Sequence, residues 1–303
     1  MEIAATGGHN VLLIGPPGSG KSMLSKRLPS IMPDMKFDEI LETTKVYSIV
    51  GLLSPENPLI LERPFRSPHH TVSPAGLTGG GSIPKPGELT LAHNGILFLD
   101  ELPEFSRSSL EVLRQPIEEG KVTISRVKSS LTYPCSVILV VAMNPCPCGY
   151  FGHPTRECSC SQHSIKKYLS RVSGPLLDRI DLHVYVPPVE FDSIYSNEKS
   201  ESSEIIKNRV VRARNMQIER YGNEKFCNAK VDLSNFKNFF EVSSEGKKIL
   251  RNAFESMGMS ARGYEKILRI SRSIADLDQS EKILDKHILE AIQYRDLDKK
   301  YWI

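Results

Sequence analysis

A chain of 303 residues, 40% hydrophobic and 25% charged, has the make-up of a globular protein of about two domains, which excludes a disordered or fibrous chain. Lys and Arg exceed Asp and Glu by 39 − 36 = 3, too few to demand a nucleic-acid partner and compatible with one. The longest strongly apolar run, residues 137–143, is far short of the roughly 20 a bilayer needs, and no basic start leads into an apolar stretch. A cytoplasmic protein without membrane association is therefore expected.

Continuous apolar runs at 11–14, 96–99, 136–143 and 182–186 are bounded by Gly, Pro or charge. Runs without alternation suit parallel strands covered on both faces. Between the second and third, Leu110, Leu113 and Ile117 share a helical face, with Ser106 as its N-cap and Gly120 as its stop. The alternation predicts an α/β sandwich over residues 1–190. Residues 191–204, rich in Ser, Glu and Asn, bury little and are expected to link the sandwich to the C-terminal third of the chain. Helical patterns over 205–221, 243–257, 260–276 and 280–295 then predict a small all-helical domain over 205–303.

The first strand runs into Gly15-Pro16-Pro17-Gly18-Ser19-Gly20-Lys21-Ser22, which fits G-x-x-x-x-G-K-[ST] in its strand–turn–helix context. Glycines there let backbone N–H groups turn inward around phosphates, where side chains would collide. Lys21 supplies charge to the terminal phosphates and the Ser22 hydroxyl a ligand to magnesium, so ATP and Mg2+ are the expected cofactors. Asp100-Glu101 closes the 96–99 strand: Asp100 can reach the magnesium ion, and Glu101 can polarise a water for attack on the γ-phosphate. A strand ending in Asp-Glu is more often a solvated turn; downstream of a phosphate loop the catalytic reading prevails. Asn144 ends the next buried strand, where its amide can hold the attacking water or the γ-phosphate, although Asn-Pro is also a common turn.

Cys146-Pro-Cys148 and Cys158-Ser-Cys160 bring four thiols into one loop, the makings of a closed tetrahedral zinc site. The spacing is tighter than the usual C-x-x-C. His153 or His163 could replace one thiolate, and a metal-free loop is the alternative. Cys135 and Cys227 stand apart as packed thiols. Residues 121–132 alternate well enough for a hairpin, with Val122 and Ile124 on one face and Arg126 and Lys128 near the turn, where basic residues, with Lys121 at the hairpin's start, could track a phosphate backbone. The Gly-, Pro- and His-rich stretch 66–85 suits a second loop beside it. Subunit packing accounts for both segments equally well, and His69-His70 without matching carboxylates read as hydrogen-bonding surface groups.

Together with Arg66-Ser67-Pro68-His69-His70, Pro86-Gly87-Glu88-Leu89, Leu176-Leu177-Asp178-Arg179-Ile180-Asp181 and Ser260-Ala261-Arg262-Gly263-Tyr264, these motifs resemble the magnesium-chelatase-like branch of the AAA+ ATPases, and within it the ComM/YifB family. The resemblance runs from about residue 2 to 297. It implies a P-loop NTPase three-layer αβα core with a parallel sheet, followed by a small helical lid. It also implies a homo-oligomeric ring, a hexamer, that hydrolyses ATP and moves on DNA as a branch-migration helicase in natural transformation. Chelatase-type remodelling of a partner protein and a nucleotide-switched scaffold are the alternatives. On the matching positions, Arg179 is similar to an arginine finger reaching a neighbour's ATP, with Arg171 second choice. A surface salt bridge from Arg179 to Asp178 or Asp181 is the plainer alternative. Arg262 is similar to the sensor that reports the γ-phosphate to the lid, with Arg269 second choice. Family members carry a Lon-protease-like domain ahead of the AAA+ module and a segment that helps enclose adenine. Neither is recognisable in the opening residues, so a piece of a longer protein or a short relative is expected.

Overall fold

Every apolar run of the first half is a strand in the computed structural model, which describes residues 1–81, 84–126, 129–189, 200–234, 237–295, 297 and 301–302. In chain order the strands are β1 Val11–Ile14, β2 Phe65–Arg66, β3 Gly79–Gly80, β4 Lys85–Pro86, β5 Ile96–Leu99, β6 Lys121–Arg126, β7 Ser129–Pro134, β8 Ile138–Met143 and β9 Leu182–Tyr185. Five of them form one parallel sheet in the order β2-β5-β8-β1-β9, with Leu12 opposite Val141 and Val141 opposite Leu99.

Period-2 geometry divides the buried strands between two faces. Leu12, Ile14, Leu97, Leu99, Val141 and Met143 face one core, closed by Leu110, Leu113 and the β6–β7 hairpin residues Val122 and Ile124. Val11, Leu13, Ile96, Phe98 and Val140 face the other, with Leu28 and Ile31 from the Lys21–Ile31 helix. The sheet is the middle layer of the αβα arrangement, and its two faces are almost wholly apolar, His183 on β9 being a buried polar exception.

The helix expected between Ser106 and Gly120 is two short ones, Arg107–Glu111 and Arg114–Glu119. Ser106 caps the first by accepting from Ser109 N–H at 3.1 Å, and Gly120, in the left-handed region, ends the second. Pro116 explains the break: it has no N–H to donate to the carbonyl four residues back, Val112, where the first helix ends.

Beyond residue 200 lie the helices Ser203–Tyr221, Ser244–Met257, Ala261–Leu277 and Asp285–Gln293. Ser202, Ser243 and Ser260 each cap the helix they precede. The last helix starts at Asp285 rather than at 280, because Ile283 is buried in an extended bridge to Val242. Val210, Ile267, Ile270 and Ile288 belong to the same apolar cluster as Val11, Leu13 and Phe98, so the helical region shares its core with one face of the sheet. Most of the expected 191–204 linker lies outside the described residues.

Candidate nucleotide site

The phosphate loop leaves β1 at the carboxyl edge of the sheet, between β8 and β9. Gly18 (φ 76°) and Gly20 (φ 84°) both sit in the left-handed region, which costs a side-chain-bearing residue roughly 1 kcal/mol or more. The Lys21–Ile31 helix begins directly after, and no side chain caps it. Its first N–H groups are therefore available to an anion, where the helix dipole favours negative charge.

Lys21 is 8% exposed. Its ammonium donates to the carbonyls of Gly15 and Pro16, both at 2.8 Å, and to Asn144 Oδ1 at 3.3 Å. Burial lowers the Lys21 pKa, and the Asp100 carboxylate partly opposes that shift. Ser22 Oγ donates to Asp100 Oδ2 at 2.6 Å, so the hydroxyl and the carboxylate that could hold a magnesium ion already touch. Glu101 comes next in the left-handed region (φ 53°), unusual for a residue with a side chain. Its carboxylate lies 3.4 Å from His70 Nδ1.

Lys21, Ser22, Asp100, Glu101 and Asn144 line a cavity of about 900 Å³. Its opposite wall comes from the Gln162–Leu169 helix and the turn after it, through Lys167, Tyr168 and Arg171. Arg171 is paired with Glu104 at 3.0 Å, so the second-choice finger faces its own chain's phosphate loop. The sequence did not single out Lys167 or Tyr168, and it read His70 as a surface group. The usable signal for His70 was topological: β2 runs parallel to β5, so residues after Arg66 come beside those after Leu99.

Arg179 and Arg262 lie elsewhere. Arg179 Nη2 is 2.6 Å from Glu118 Oε2, and Arg262 is 3.6 Å from the other oxygen of the same carboxylate. Glu118 thus takes the place of the expected partners Asp178 and Asp181 for Arg179. With Lys266 and Arg269 the two arginines line a second cavity of about 570 Å³ whose lining includes no phosphate-loop residue. Arg269 itself leans 3.8 Å toward Glu265.

The loop carrying Arg179 is gripped from behind. Lys266, on the Ala261–Leu277 helix with Arg262, donates to the carbonyls of Asp178 and Ile180 and lies 3.5 Å from Asp181. Asn10 donates its side-chain amide to the carbonyl of Arg179 at 2.8 Å. Burial would raise the Asp181 pKa, but Lys266, His9 and the Asn10 N–H outweigh it and hold the carboxyl well below the usual range.

The four clustered cysteines have their sulfurs within 4.8 Å of one another. The distances are 3.4 Å for Cys146–Cys148, 3.7 Å for Cys146–Cys158 and 3.6 Å for Cys148–Cys158. Zn–S bonds of about 2.3 Å in a tetrahedron require sulfurs roughly 3.8 Å apart, so the set fits a metal ion of that kind. Burial and the neighbouring thiol of Cys148 push Cys146 up to about 12. Against its own burial, the N–H groups of Tyr150 and Ser159 and the thiols of Cys146 and Cys160 pull Cys148 down to about 6. His153 Nδ1 instead accepts from Thr155 and Arg156 N–H, and His163 is outside the cluster.

In the β6–β7 hairpin, Lys121 pairs with Pro134 at the base, 3.8 Å from Glu119. Lys128 and the side chain of Arg126 lie outside the described residues. Among the described residues no helix is long and apolar enough to cross a membrane.

A parallel sheet with a phosphate loop after β1, an acidic pair after β5 and a polar amide after the intervening β8 defines a P-loop protein of the AAA+ class. Residues 1–194 match the family model of magnesium chelatase, subunit ChlI, and residues 200–295 that of its C-terminal part. The chain is 43% identical to the uncharacterized protein YifB of Escherichia coli over 99% of its own length and 58% of that protein. To the competence protein ComM of Haemophilus influenzae it is 42% identical, over 97% of this chain and 57% of the relative. To the magnesium-chelatase subunit ChlI of Euglena gracilis it is 24% identical over 45% of each chain. The chain belongs to the magnesium-chelatase-like AAA+ family, and within it to the ComM/YifB type. It spans a little under three-fifths of the length of the YifB and ComM relatives, at 58% and 57%.

Proposed function

We propose that this protein is a cytoplasmic ATPase subunit of a homo-oligomeric ring, a hexamer, that converts ATP hydrolysis into movement along DNA. The observation that carries this reading is the division of the site. The groups suited to binding and attack converge on one cavity, whereas Arg179 and Arg262 share Glu118 on another face. In a ring, that second face meets the neighbour's cavity.

In this reading residues 15–22 wrap the triphosphate, and Lys21 exchanges its carbonyl partners for phosphate oxygens. Ser22 and Asp100 hold magnesium, which would neutralise charge on the β- and γ-phosphates. Glu101 takes a proton from the attacking water, with His70 orienting its carboxylate, and Asn144 positions that water against the γ-phosphate. Arg171 and Lys167 add positive charge from the same chain. Arg179 and Arg262 act on the next subunit's nucleotide, so Arg262 reports across the interface rather than within its own chain. The four cysteines hold a structural zinc ion.

DNA as the track is supported by the competence relative and by the position of the β6–β7 hairpin between the acidic pair and β8. The match to magnesium-chelatase subunit ChlI favours a second reading, remodelling of a partner protein. Turnover measured with and without forked DNA separates the two. DNA is expected to stimulate ATPase activity several-fold at about 50 mM salt, with the stimulation lost in the Arg126→Glu/Lys128→Glu double variant. Equal turnover with and without DNA, in a chain that hydrolyses ATP, would exclude the DNA motor.

A further inference from the structure

The cysteine cluster is not a remote staple. Cys146 lies two residues beyond Asn144, and the turn at Gly149 presses on the phosphate loop. A Cβ on Gly149 would come 2.5 Å from Pro17 Cδ and 3.8 Å from Asn144 Cγ, and Gly149 occupies the left-handed region (φ 84°) that permits this approach. Pro147 lines the nucleotide cavity itself. The other arm, Cys158 and Cys160, runs directly into Ser161, whose hydroxyl accepts from Ser164 N–H at 3.2 Å and caps the Gln162–Leu169 helix. That helix and the turn after it bring Lys167, Tyr168 and Arg171 to the cavity's far wall. The four sulfurs join the two walls at a single point.

We propose that the tetrathiolate site formed by Cys146, Cys148, Cys158 and Cys160 binds zinc in thermodynamic linkage with nucleotide, because the metal clamps together the two walls between which the triphosphate lies. Zinc binding replaces the remaining thiol protons, which pass to solvent, and leaves four Zn–S bonds with no open position; the oxidation state of sulfur does not change. Zinc and nucleotide each favour the ordered arrangement of the same walls, so each must tighten the other by the same factor. Couplings of this kind commonly amount to about 5–150-fold.

The inference rests on the nucleotide reading of the cavity. The deciding experiment measures zinc content of the purified chain, then the rate of zinc transfer to a colorimetric chelator with and without a saturating, non-hydrolysable ATP analogue and magnesium. About one zinc per chain is expected, with transfer slowed roughly tenfold by nucleotide. Zinc-stripped chain, shown to be folded by circular dichroism, should bind the analogue about tenfold more weakly and recover on adding zinc. Lys21→Ala should retain its zinc and lose the nucleotide effect on transfer. Absence of stoichiometric zinc overturns the site. Zinc released equally fast with and without bound analogue overturns the linkage while leaving the nucleotide reading intact. A zinc-loaded chain with no affinity for the analogue overturns the cavity reading and the linkage with it.

Discussion

Lys21 and Arg179 illustrate two ways of holding a cation ready. Lys21 is almost wholly buried, its ammonium shared among Gly15, Pro16 and Asn144, all supplied by the same chain. Arg179 is held by two backbone carbonyls and by Glu118, whose side chain is 51% exposed and which also pairs with Arg262. The Arg262–Glu118 pair is exposed on both sides and such pairs contribute about 0–1 kcal/mol, so it yields easily to a stronger anion, whereas Arg179, its side chain only 14% exposed, is held more firmly. In the proposed ring, the phosphate-loop cavity receives the nucleotide and the Glu118 face is completed by the neighbouring subunit. A guanidinium aimed at a terminal phosphate is effective only where water is excluded, and an open surface becomes such a place on assembly.

The contrast is broken most decisively by mixing subunits. Arg179→Ala is expected to bind ATP as wild type does while turnover falls by about 10³-fold or more. Glu101→Gln should likewise bind and fail to hydrolyse, and mixtures of the two should regain activity measurable by phosphate release. Mixtures as inactive as their components would mean that Arg179 does not serve a neighbour.

A smaller effect is expected at Lys266, which ties the Arg179 loop to the helix of Arg262. Lys266→Met should lower turnover about tenfold at unchanged nucleotide affinity, since it removes two charge-assisted hydrogen bonds, to the carbonyls of Asp178 and Ile180, and the ion pair with Asp181. Its subunits should still be activated by wild-type neighbours and fail only as finger donors. A rise in KM for ATP at unchanged kcat would assign Lys266 to binding instead.

The smallest effect is on stability. The Asp181 carboxyl titrates below its ordinary value of 3.8, so its contribution is fully present above about pH 4 and fades as pH falls through the depressed value. Asp181→Asn should lower Tm by about 2–4 °C at neutral pH, with the gap to wild type closing on acidification. Calorimetry showing a gap constant from about pH 5 to 2 would remove Asp181 from the groups that tie the Arg179 loop down.

Much of the fold was legible because buried parallel strands announce themselves as unbroken apolar runs. Where an element was two residues long, as β2 is, no pattern could accumulate, and the placement of His70 beside Glu101 went unread with it. The split of the 107–119 helix was misjudged because the apolar spacing of Leu110, Leu113 and Ile117 continues through Pro116, while the backbone hydrogen bond does not. The late start of the last helix had the same origin: periodicity cannot distinguish Ile283 on a helix from Ile283 in a bridge.

From sequence alone came the order of the elements, the phosphate loop, the acidic pair and the cysteine set, because each is a local pattern whose spacing carries its own physical reason. Tertiary structure alone decided which groups share a cavity. It placed Arg171 within its own chain's site, set Arg179 and Arg262 around Glu118 on a second face, and laid Gly149 against Pro17. Such distances depend on how strands separated by more than a hundred residues pair across the sheet, as Val11 does with Val140, and no window along the chain contains that information.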